Sequence, residues 1–177
     1  QSPYSASKIG ADQIALSFHA SFGTPVTLLR PFNTYGPRQS ARAVIPTIIT
    51  QALTRDLISL GNVDTTRDFT YVSDTVRGFL AAAATAGVEG GVFNLGTGLD
   101  VRVGDVAERV ASKIGKQVQV KVDAERLRPE RSEVLRLISD NRLAREKLGW
   151  SPQVSLDEGL DLTIAWIREH LDWYRPG

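Results

Sequence analysis

The sequence contains no cysteine and no methionine, and its only histidines are His19 and His170. Without cysteine the chain has no disulfide and no thiolate metal ligand, and two histidines are too few for a histidine-rich metal site. No apolar run reaches membrane-spanning length, and no secretory signal precedes the first predicted helix. The net charge of +1 and the scattered basic residues give no sign of a nucleic-acid or membrane surface. These absences predict a cytoplasmic protein with no nucleic-acid or membrane partner.

The 177 residues have the length and the apolar and charged fractions of one globular domain. Strand-like segments alternate with segments of helical periodicity, which predicts an α/β fold. The predicted helices cover residues 4–22, 44–53, 103–114, 143–148 and 156–171, and an alanine-rich helix ends at residue 84. The predicted strands cover residues 26–29, 57–60, 68–72, 92–95, 118–122 and 137–138. Ser73 or Asp74 is predicted to cap the alanine-rich helix and Asn141 to cap the helix at 143–148, while Trp150 and Trp166 are predicted core aromatics.

The first eight residues contain a tyrosine and a lysine four positions apart. Ser2 is suited to cap a helix, and Pro3 to occupy the first turn, where a missing N–H costs nothing. In such a helix Tyr4 and Lys8 lie one turn apart on the same face. An ammonium group close to a phenol stabilises the phenolate, which lets a tyrosine act as an acid or base at neutral pH. The pair is a candidate catalytic acid/base, although the same spacing also occurs on ordinary solvated helix faces.

The segment LRPFNTYGPRQ follows a predicted strand and is a second candidate site. Ligands of open α/β sheets bind beyond the carboxyl ends of the strands. The side-chain amide of Asn33 could contact a sugar or phosphate oxygen there, and Gly36 could permit close backbone approach. The structural alternative is a rigid turn between Pro31 and Pro37.

Arg67 begins the strand-like segment RDFTYV and is a candidate anion ligand. A guanidinium can bind a diphosphate through two parallel hydrogen bonds. The alternative is a surface ion pair with Asp64 or Asp68, and the local residues by themselves favour that alternative.

The sequence resembles the extended short-chain dehydrogenase/reductase family of nucleotide-sugar epimerases and dehydratases. Five segments carry the resemblance, and they occur in the order YSASK, RPFNTYGPRQ, RDFTYVSD, FNLGTG and LGWSP. The resemblance runs along the whole chain. It implies that residues 1–177 are the C-terminal portion of such an enzyme, in which the last elements of a Rossmann-like parallel sheet are intertwined with a smaller α/β substrate-binding lobe. The N-terminal dinucleotide-binding half would be missing.

The resemblance implies NAD as the cofactor and assigns three residues to it. Tyr4 would be the acid/base that moves the proton of a sugar hydroxyl during hydride transfer to NAD. Lys8 would bind the nicotinamide ribose and favour the phenolate of Tyr4. Pro31 and the backbone beside it would line the nicotinamide pocket.

The resemblance also implies a nucleotide-sugar substrate. Asn33 and Arg67 would contact its diphosphate region. Arg128 would be a second diphosphate-binding arginine, with Arg126 and Arg131 as close competitors. The segment FNLGTG would be mainly structural.

Segment 38–49 looks closest to 4,6-dehydratases of nucleotide-activated N-acetylglucosamine, of the legionaminic-acid pathway type. The family's GxGxxG turn, ribose-binding acidic residue, Ser/Thr catalytic partner and dehydratase Asp-Glu pair are absent from the 177 residues. Epimerase and dehydratase therefore cannot be separated on catalytic residues. Because no pyrophosphate cradle is present, we expect the chain alone to be inactive. The full-length enzyme would be a homodimer through the helix that bears Tyr4 and Lys8, and the alternative is a non-catalytic module that binds nucleotide sugar or only self-associates.

Overall fold

Helices and short strands alternate along the computed structural model, which describes residues 2–126 and 133–174. The helices are α1 (Pro3–Phe22), α2 (Val44–Thr54), α3 (Val72–Ala84), α4 (Val103–Ile114), α5 (Arg142–Leu148) and α6 (Leu156–Glu169). The strands are β1 (Leu28–Pro31), β2 (Asn33–Tyr35), β3 (Leu57–Leu60), β4 (Thr66–Arg67), β5 (Phe69–Tyr71), β6 (Val92–Leu95), β7 (Val101–Arg102), β8 (Gln119–Val122) and β9 (Arg136–Leu137). Short 3-10 helices span Ala124–Arg126 and Leu171–Tyr174.

The strands pair mostly in parallel. β1 pairs with β6, β2 with β5 and β3 with β8, while β4 lies between antiparallel β7 and parallel β9. Parallel partners cannot be joined by a tight turn, and helices lie in the chain between each of these three pairs. The predicted α/β fold with parallel pairing is confirmed.

Two apolar cores hold the elements together. The larger core packs α2, α4 and α6 against β2, β3 and β5, and its fully buried residues include Ile48 and Leu160. The smaller core joins α3, β6 and α5 around Phe93 and Trp150, which is 3% exposed. Trp150 is the core aromatic that the sequence predicts, whereas Trp166 is only half-buried at the margin of the larger core.

Helix α1 lies outside both cores. Ser2 is its N-cap and accepts a hydrogen bond from the Ser5 amide at 3.2 Å, Pro3 opens the first turn, and Gly23 ends the helix with a φ of 66°. The predicted ends of this helix are therefore confirmed. It buries none of its residues. Its large apolar side chains are exposed to solvent and are Ile9, Ile14, Phe18 and Phe22.

Several strand boundaries differ from the prediction because strand pairing is not local. Residues 33–35, predicted as loop, form β2 through pairing with β5. The strand predicted at 68–72 is the shorter β5, and the separate strand β4 precedes it, because the chain leaves the β7–β4–β9 sheet at Asp68 and joins β2 one residue later. Val72 then begins α3. The strand predicted at 26–29 begins at Leu28 and continues to Pro31.

The predicted side-chain caps of α3 and α5 are wrong. The N-cap of α3 is Tyr71, and the buried carboxylate of Asp74 instead accepts hydrogen bonds from the amides of Gln153 and Val154 at 3.1–3.2 Å. Asn141 occupies the N-cap of α5 without capping it through its side chain, which donates to the Gly96 carbonyl at 2.7 Å. Long-range backbone partners recruit both side chains.

Candidate active site

Tyr4 and Lys8 lie on one face of α1, as their spacing predicts. The Lys8 ammonium nitrogen is 5.6 Å from the centroid of the Tyr4 ring. Tyr4 is 70% exposed and Lys8 is also exposed. A phenol and an ammonium group are thus available together to a ligand.

The carboxyl end of β1 lies beside α1. Arg30 donates to the Asp12 carboxylate through Nε at 3.0 Å and Nη2 at 2.6 Å, which links β1 to the middle of α1. Pro31 follows as the exposed last residue of β1, in register with Leu95 of β6. Its predicted place in a nicotinamide pocket stays a prediction.

A cavity of about 400 Å³ lies where β2, α2 and β4 meet. It brings together Asn33 and Arg67, the two residues predicted to contact a diphosphate. Its polar lining is mixed in charge and includes Asn33, Gln39, Arg42, Asn62, Arg67 and Glu133. Its apolar lining includes Tyr35, Val44, Ile45, Leu60, Phe69 and Val103. Tyr4, Lys8 and Pro31 are not part of this lining, and Arg128 lies outside the described residues.

Arg67 is held in the cavity wall by a carboxylate and two backbone carbonyls. Its Nη2 donates to Glu133 at 3.1 Å, and its Nη1 donates to the Thr66 and Val134 carbonyls at 2.8 and 2.7 Å. The two side chains of the ion pair are 14% and 13% exposed. The surface pair with Asp64 or Asp68 is therefore wrong as an account of Arg67.

Asn33 and Arg67 are linked through Asp68. The Asn33 amide donates to the Asp68 carbonyl at 3.1 Å. The Asp68 carboxylate is fully buried and accepts hydrogen bonds from four groups, namely the Thr97 amide, the Thr97 hydroxyl, the Gly98 amide and the Ser139 amide, at 2.6–3.1 Å. A buried carboxylate needs such donors to offset its desolvation. The FNLGTG segment thus acts structurally, by fixing the strand junction that carries Arg67.

Glycine at position 96 makes this junction possible. A Cβ there would lie 2.3 Å from the Ser139 Cβ and 2.8 Å from the Asp68 carboxylate. Gly36 has a comparable role beside the cavity, because its φ is 147° and a Cβ would lie 2.7 Å from Val72.

The family described as GDP-mannose 4,6 dehydratase matches residues 1–163. The chain belongs to this family. A dTDP-glucose 4,6-dehydratase of Streptomyces griseus is 34% identical over 180 residues, covering 99% of this chain and 52% of that protein. A UDP-glucuronate 4-epimerase of Thermodesulfobacterium geofontis is 31% identical over 97% of this chain and 52% of its own length.

The same family fold is found among solved structures. One is the UDP-glucuronic acid 4-epimerase of Bacillus cereus in complex with UDP-glucuronic acid and NAD, which has a TM-score of 0.88 and 30% sequence identity. The match covers 96% of this chain and 53% of the epimerase chain. The chain thus spans about half the length of the relatives it matches. Dehydratases and epimerases both occur among them.

The exposed polar groups of α1 have the chemistry to contact part of an NAD molecule. The exposed Tyr4 hydroxyl and Lys8 ammonium group can accept from and donate to ribose hydroxyls. These two groups could hold the nicotinamide ribose, and the 177 residues contain no GxGxxG turn that would bind the pyrophosphate.

Burial excludes Tyr35 from proton transfer in this family member. Tyr35 is 2% exposed and its hydroxyl donates to the Leu156 carbonyl at 3.2 Å. Burial, and then the nearby Tyr71, raises the pKa of the Tyr35 hydroxyl far above its usual range. Burial also raises the pKa of Tyr71. Both phenols are buried, which leaves the exposed Tyr4 as the better candidate for proton transfer.

The local sequence gives no signal for Glu133 as a lining residue. It is 66 residues from Arg67, and the parallel pairing of β4 with β9 brings the two together. Gln39 and Arg42 also line the cavity, and they belong to segment 38–49, but the sequence analysis assigns neither of them a role.

Two kinds of feature are missing from residues 2–126 and 133–174. No helix there is both long and apolar enough to cross a bilayer. No group of three or more histidine, aspartate or glutamate side chains there could hold a metal ion.

Proposed function

We propose that this chain carries the catalytic helix and the substrate-binding lobe of an NAD-dependent nucleotide-sugar 4,6-dehydratase or epimerase. The observation that carries the proposal is the exposed Tyr4–Lys8 pair, with the ammonium nitrogen 5.6 Å from the phenol ring centroid. The family membership and the activities named for the relatives support the reaction class. The dinucleotide-binding half would lie outside these 177 residues.

In this proposal Tyr4 and Lys8 carry out the proton transfer. The Tyr4 phenolate accepts the proton of the sugar 4-hydroxyl, and a 4-keto sugar results. The Lys8 ammonium group stabilises the phenolate and binds the nicotinamide ribose. NAD, when bound, supplies the acceptor for the hydride that leaves C4.

Substrate binding is proposed for the cavity. Asn33 and Arg67 would contact the diphosphate, with Arg128 as a further diphosphate ligand. Arg67 is suited to this role because its guanidinium is already oriented by Glu133 and two carbonyls, so little side-chain entropy is lost on binding. The mixed polar and apolar lining suits a ligand with both charged and uncharged parts.

Tyr4→Phe in the complete enzyme tests the catalytic role. Loss of the hydroxyl should reduce kcat by roughly 10²–10⁴-fold, the usual contribution of a positioned acid or base, while substrate affinity stays nearly unchanged. Steady-state kinetics with a nucleotide sugar measures both. Tyr174→Phe is the matched control, because the Tyr174 hydroxyl is buried and has no hydrogen-bond partner among the described residues. A Tyr4→Phe enzyme with near-normal kcat would make Tyr4 a structural residue.

The proposed substrate is nucleotide-activated N-acetylglucosamine, with the chain as part of a 4,6-dehydratase of the legionaminic-acid pathway type. The support is the resemblance of segment 38–49. The complete enzyme should then convert UDP- or GDP-N-acetylglucosamine to a 4-keto-6-deoxy sugar, observable by mass spectrometry as the loss of one water. Recovery of only a 4-epimer, with unchanged mass, would assign the chain to the epimerases instead.

The exposed apolar side chains of α1 favour one further candidate, a non-catalytic module that self-associates. Their number and exposure predict pairing of α1 with a second copy, in the complete enzyme or in the chain alone. We expect no turnover of UDP-N-acetylglucosamine by the purified 177-residue chain with NAD, because the cradle for the pyrophosphate is missing. An upstream reading frame encoding GxGxxG would favour the enzyme, and measurable turnover by the chain alone would contradict the expected inactivity.

A further inference from the structure

Arg38 has an unusual backbone conformation beside the cavity. Among the described residues it is the one non-glycine residue with a positive φ, at 66°. The left-handed region is disfavoured for residues with a Cβ, and such a conformation persists where its surroundings hold it in place. Arg38 belongs to the loop of residues 36–43, which joins β2 to α2.

The surroundings that hold Arg38 lie on α6. The guanidinium carbon of Arg38 is 5.6 Å from the centroid of the Trp166 ring, a cation–π distance. Trp166 is itself fixed, because it packs against the larger core and its ring stacks on His170 at 3.7 Å with an interplanar angle of 15°. The loop is thus joined to a rigid helix from a distant part of the sequence.

The loop places two side chains in the cavity wall, although Arg38 is not part of the lining. Gln39, the next residue, donates through its amide nitrogen to the Thr34 carbonyl at 2.7 Å, and its backbone N–H donates to Gly36 at 3.3 Å. Arg42 follows and lines the same cavity. Since backbone dihedrals at Arg38 set the direction of the chain into Gln39, a change of conformation at Arg38 moves Gln39 relative to Arg67.

We propose that Arg38 and Trp166 form a latch that positions the 36–43 loop at the cavity. Arg38 acts as a positioning residue, since the residues it directs and not Arg38 itself line the cavity. The effect of the latch on ligand affinity rests on the proposed function, whereas its effect on the loop does not. The two effects are measured separately.

Hydrogen–deuterium exchange of the complete enzyme without ligand tests the latch itself. The informative amides are those of Gln39 and Ala43, which donate within the loop at 3.3 and 2.9 Å. Trp166→Leu should raise their exchange rates by about three- to tenfold, because the free energy of one cation–π contact changes the equilibrium for loop opening by about that factor. Trp166→Phe keeps an aromatic ring and should restore most of the protection. Leu162→Ala is the matched control, because Leu162 also lies on α6, is 47% exposed and is not part of the Arg38–Trp166 contact. Equal exchange in all three variants and the parent would overturn the latch.

Arg38→Gly tests the link to the ligand. Glycine adopts a φ of 66° without strain, so the loop conformation stays accessible and the melting temperature should hardly change, while the cation–π contact is lost. The Kd for UDP-N-acetylglucosamine should then rise by about three- to tenfold, and Arg38→Lys should recover part of the loss. Unchanged affinity would show that the latch does not serve the cavity. Failure of the parent enzyme to bind this nucleotide sugar would contradict the proposed function, and the exchange rates would still decide whether the latch exists.

Discussion

The cavity and the catalytic helix are built in opposite ways. The cavity wall rests on the larger core, with Tyr35 and Phe69 only 2% and 5% exposed, and with the fully buried Asp68 fixing its strand junction. Helix α1 buries no residue, and its Ile14 is 63% exposed. Because most helix stability in proteins comes from packing of an apolar face, the contacts of α1 in this chain contribute little. The cavity is supported by the larger core, whereas the helix that carries Tyr4 and Lys8 buries none of its residues in this chain.

Matched isoleucine substitutions should make this contrast measurable. Ile48→Ala in α2 removes a fully buried side chain from the larger core and should lower the free energy of unfolding of the chain by about 2–5 kcal/mol. Ile14→Ala in α1 removes the same atoms from an exposed site and should change it by less than about 0.5 kcal/mol. Urea unfolding followed by circular dichroism measures both. Losses of similar size would mean that α1 is packed in solution, for example against a second copy.

Local sequence patterns predict the helices and strands better than they predict which residues contact one another. Helix α1 has Ser2, Pro3 and Gly23 at the expected places, and the strand at 57–60 matches its prediction. Both could be predicted because a helix cap and an apolar run depend on residues that are adjacent in the sequence. Strand β2 was missed because its stability comes from pairing with β5, about 36 residues away, and Asn33 is a poor strand former. The two wrong caps have the same cause, since Asp74 and Asn141 are recruited by distant backbone groups.

The candidate site shows the same difference between features set by adjacent residues and features set by distant ones. The pattern YSASK predicts two side chains on one helix face, and the structure places Tyr4 and Lys8 there. The cavity needed the fold, because Asn33, Arg67 and Glu133 come from three separate parts of the chain. The local residues indicate Asn33 and Arg67 as candidate ligands, and the resemblance assigns them to a diphosphate. Their proximity in the cavity is consistent with one ligand, while their roles stay predictions.

Arg67→Ala tests whether the cavity binds a diphosphate. A charge-assisted hydrogen bond to a diphosphate contributes about 1.5–3 kcal/mol, so UDP should bind the complete enzyme roughly ten- to a hundredfold more weakly. Arg67→Lys should restore only part of the affinity, because an ammonium group lacks the planar fork. Titration calorimetry with UDP measures the change.

Arg136→Ala is the control for this experiment. Arg136 lies on the neighbouring strand β9, has a side chain that is 67% exposed and pairs with Asp100 outside the cavity lining. UDP affinity should be unchanged in this variant. If Arg67→Ala also leaves UDP affinity unchanged, Arg67 serves only the ion pair with Glu133, and Arg128 becomes the leading candidate for the diphosphate.

The smallest expected effect concerns acid stability of the strand that carries Arg67. Asp100 accepts hydrogen bonds from Arg136 Nε and the Thr66 hydroxyl, both at 2.8 Å, and so links β4 to β9. The hydrogen bond from Arg136, then that from Thr66, lowers the pKa of Asp100 from 3.8 to about 2. Because the pKa is depressed in the folded state, the ionised carboxylate stabilises the fold above the unfolded value and loses this contribution as the pH falls from about 4 to about 2.

Asp100→Asn should therefore flatten the pH dependence of the melting temperature between about pH 4 and pH 2. The difference should be small, because solvent screens the exposed Arg136 side chain. Asp140→Asn offers a comparison outside the cavity, since hydrogen bonds from Arg142 lower the pKa of Asp140 to about 2 as well. Both variants should flatten the curve, but only Asp100→Asn should loosen β4, which hydrogen–deuterium exchange of the strand amides would show. Parallel loss of stability in the parent and in Asp100→Asn would mean that the Asp100 pair contributes nothing to the acid stability of β4.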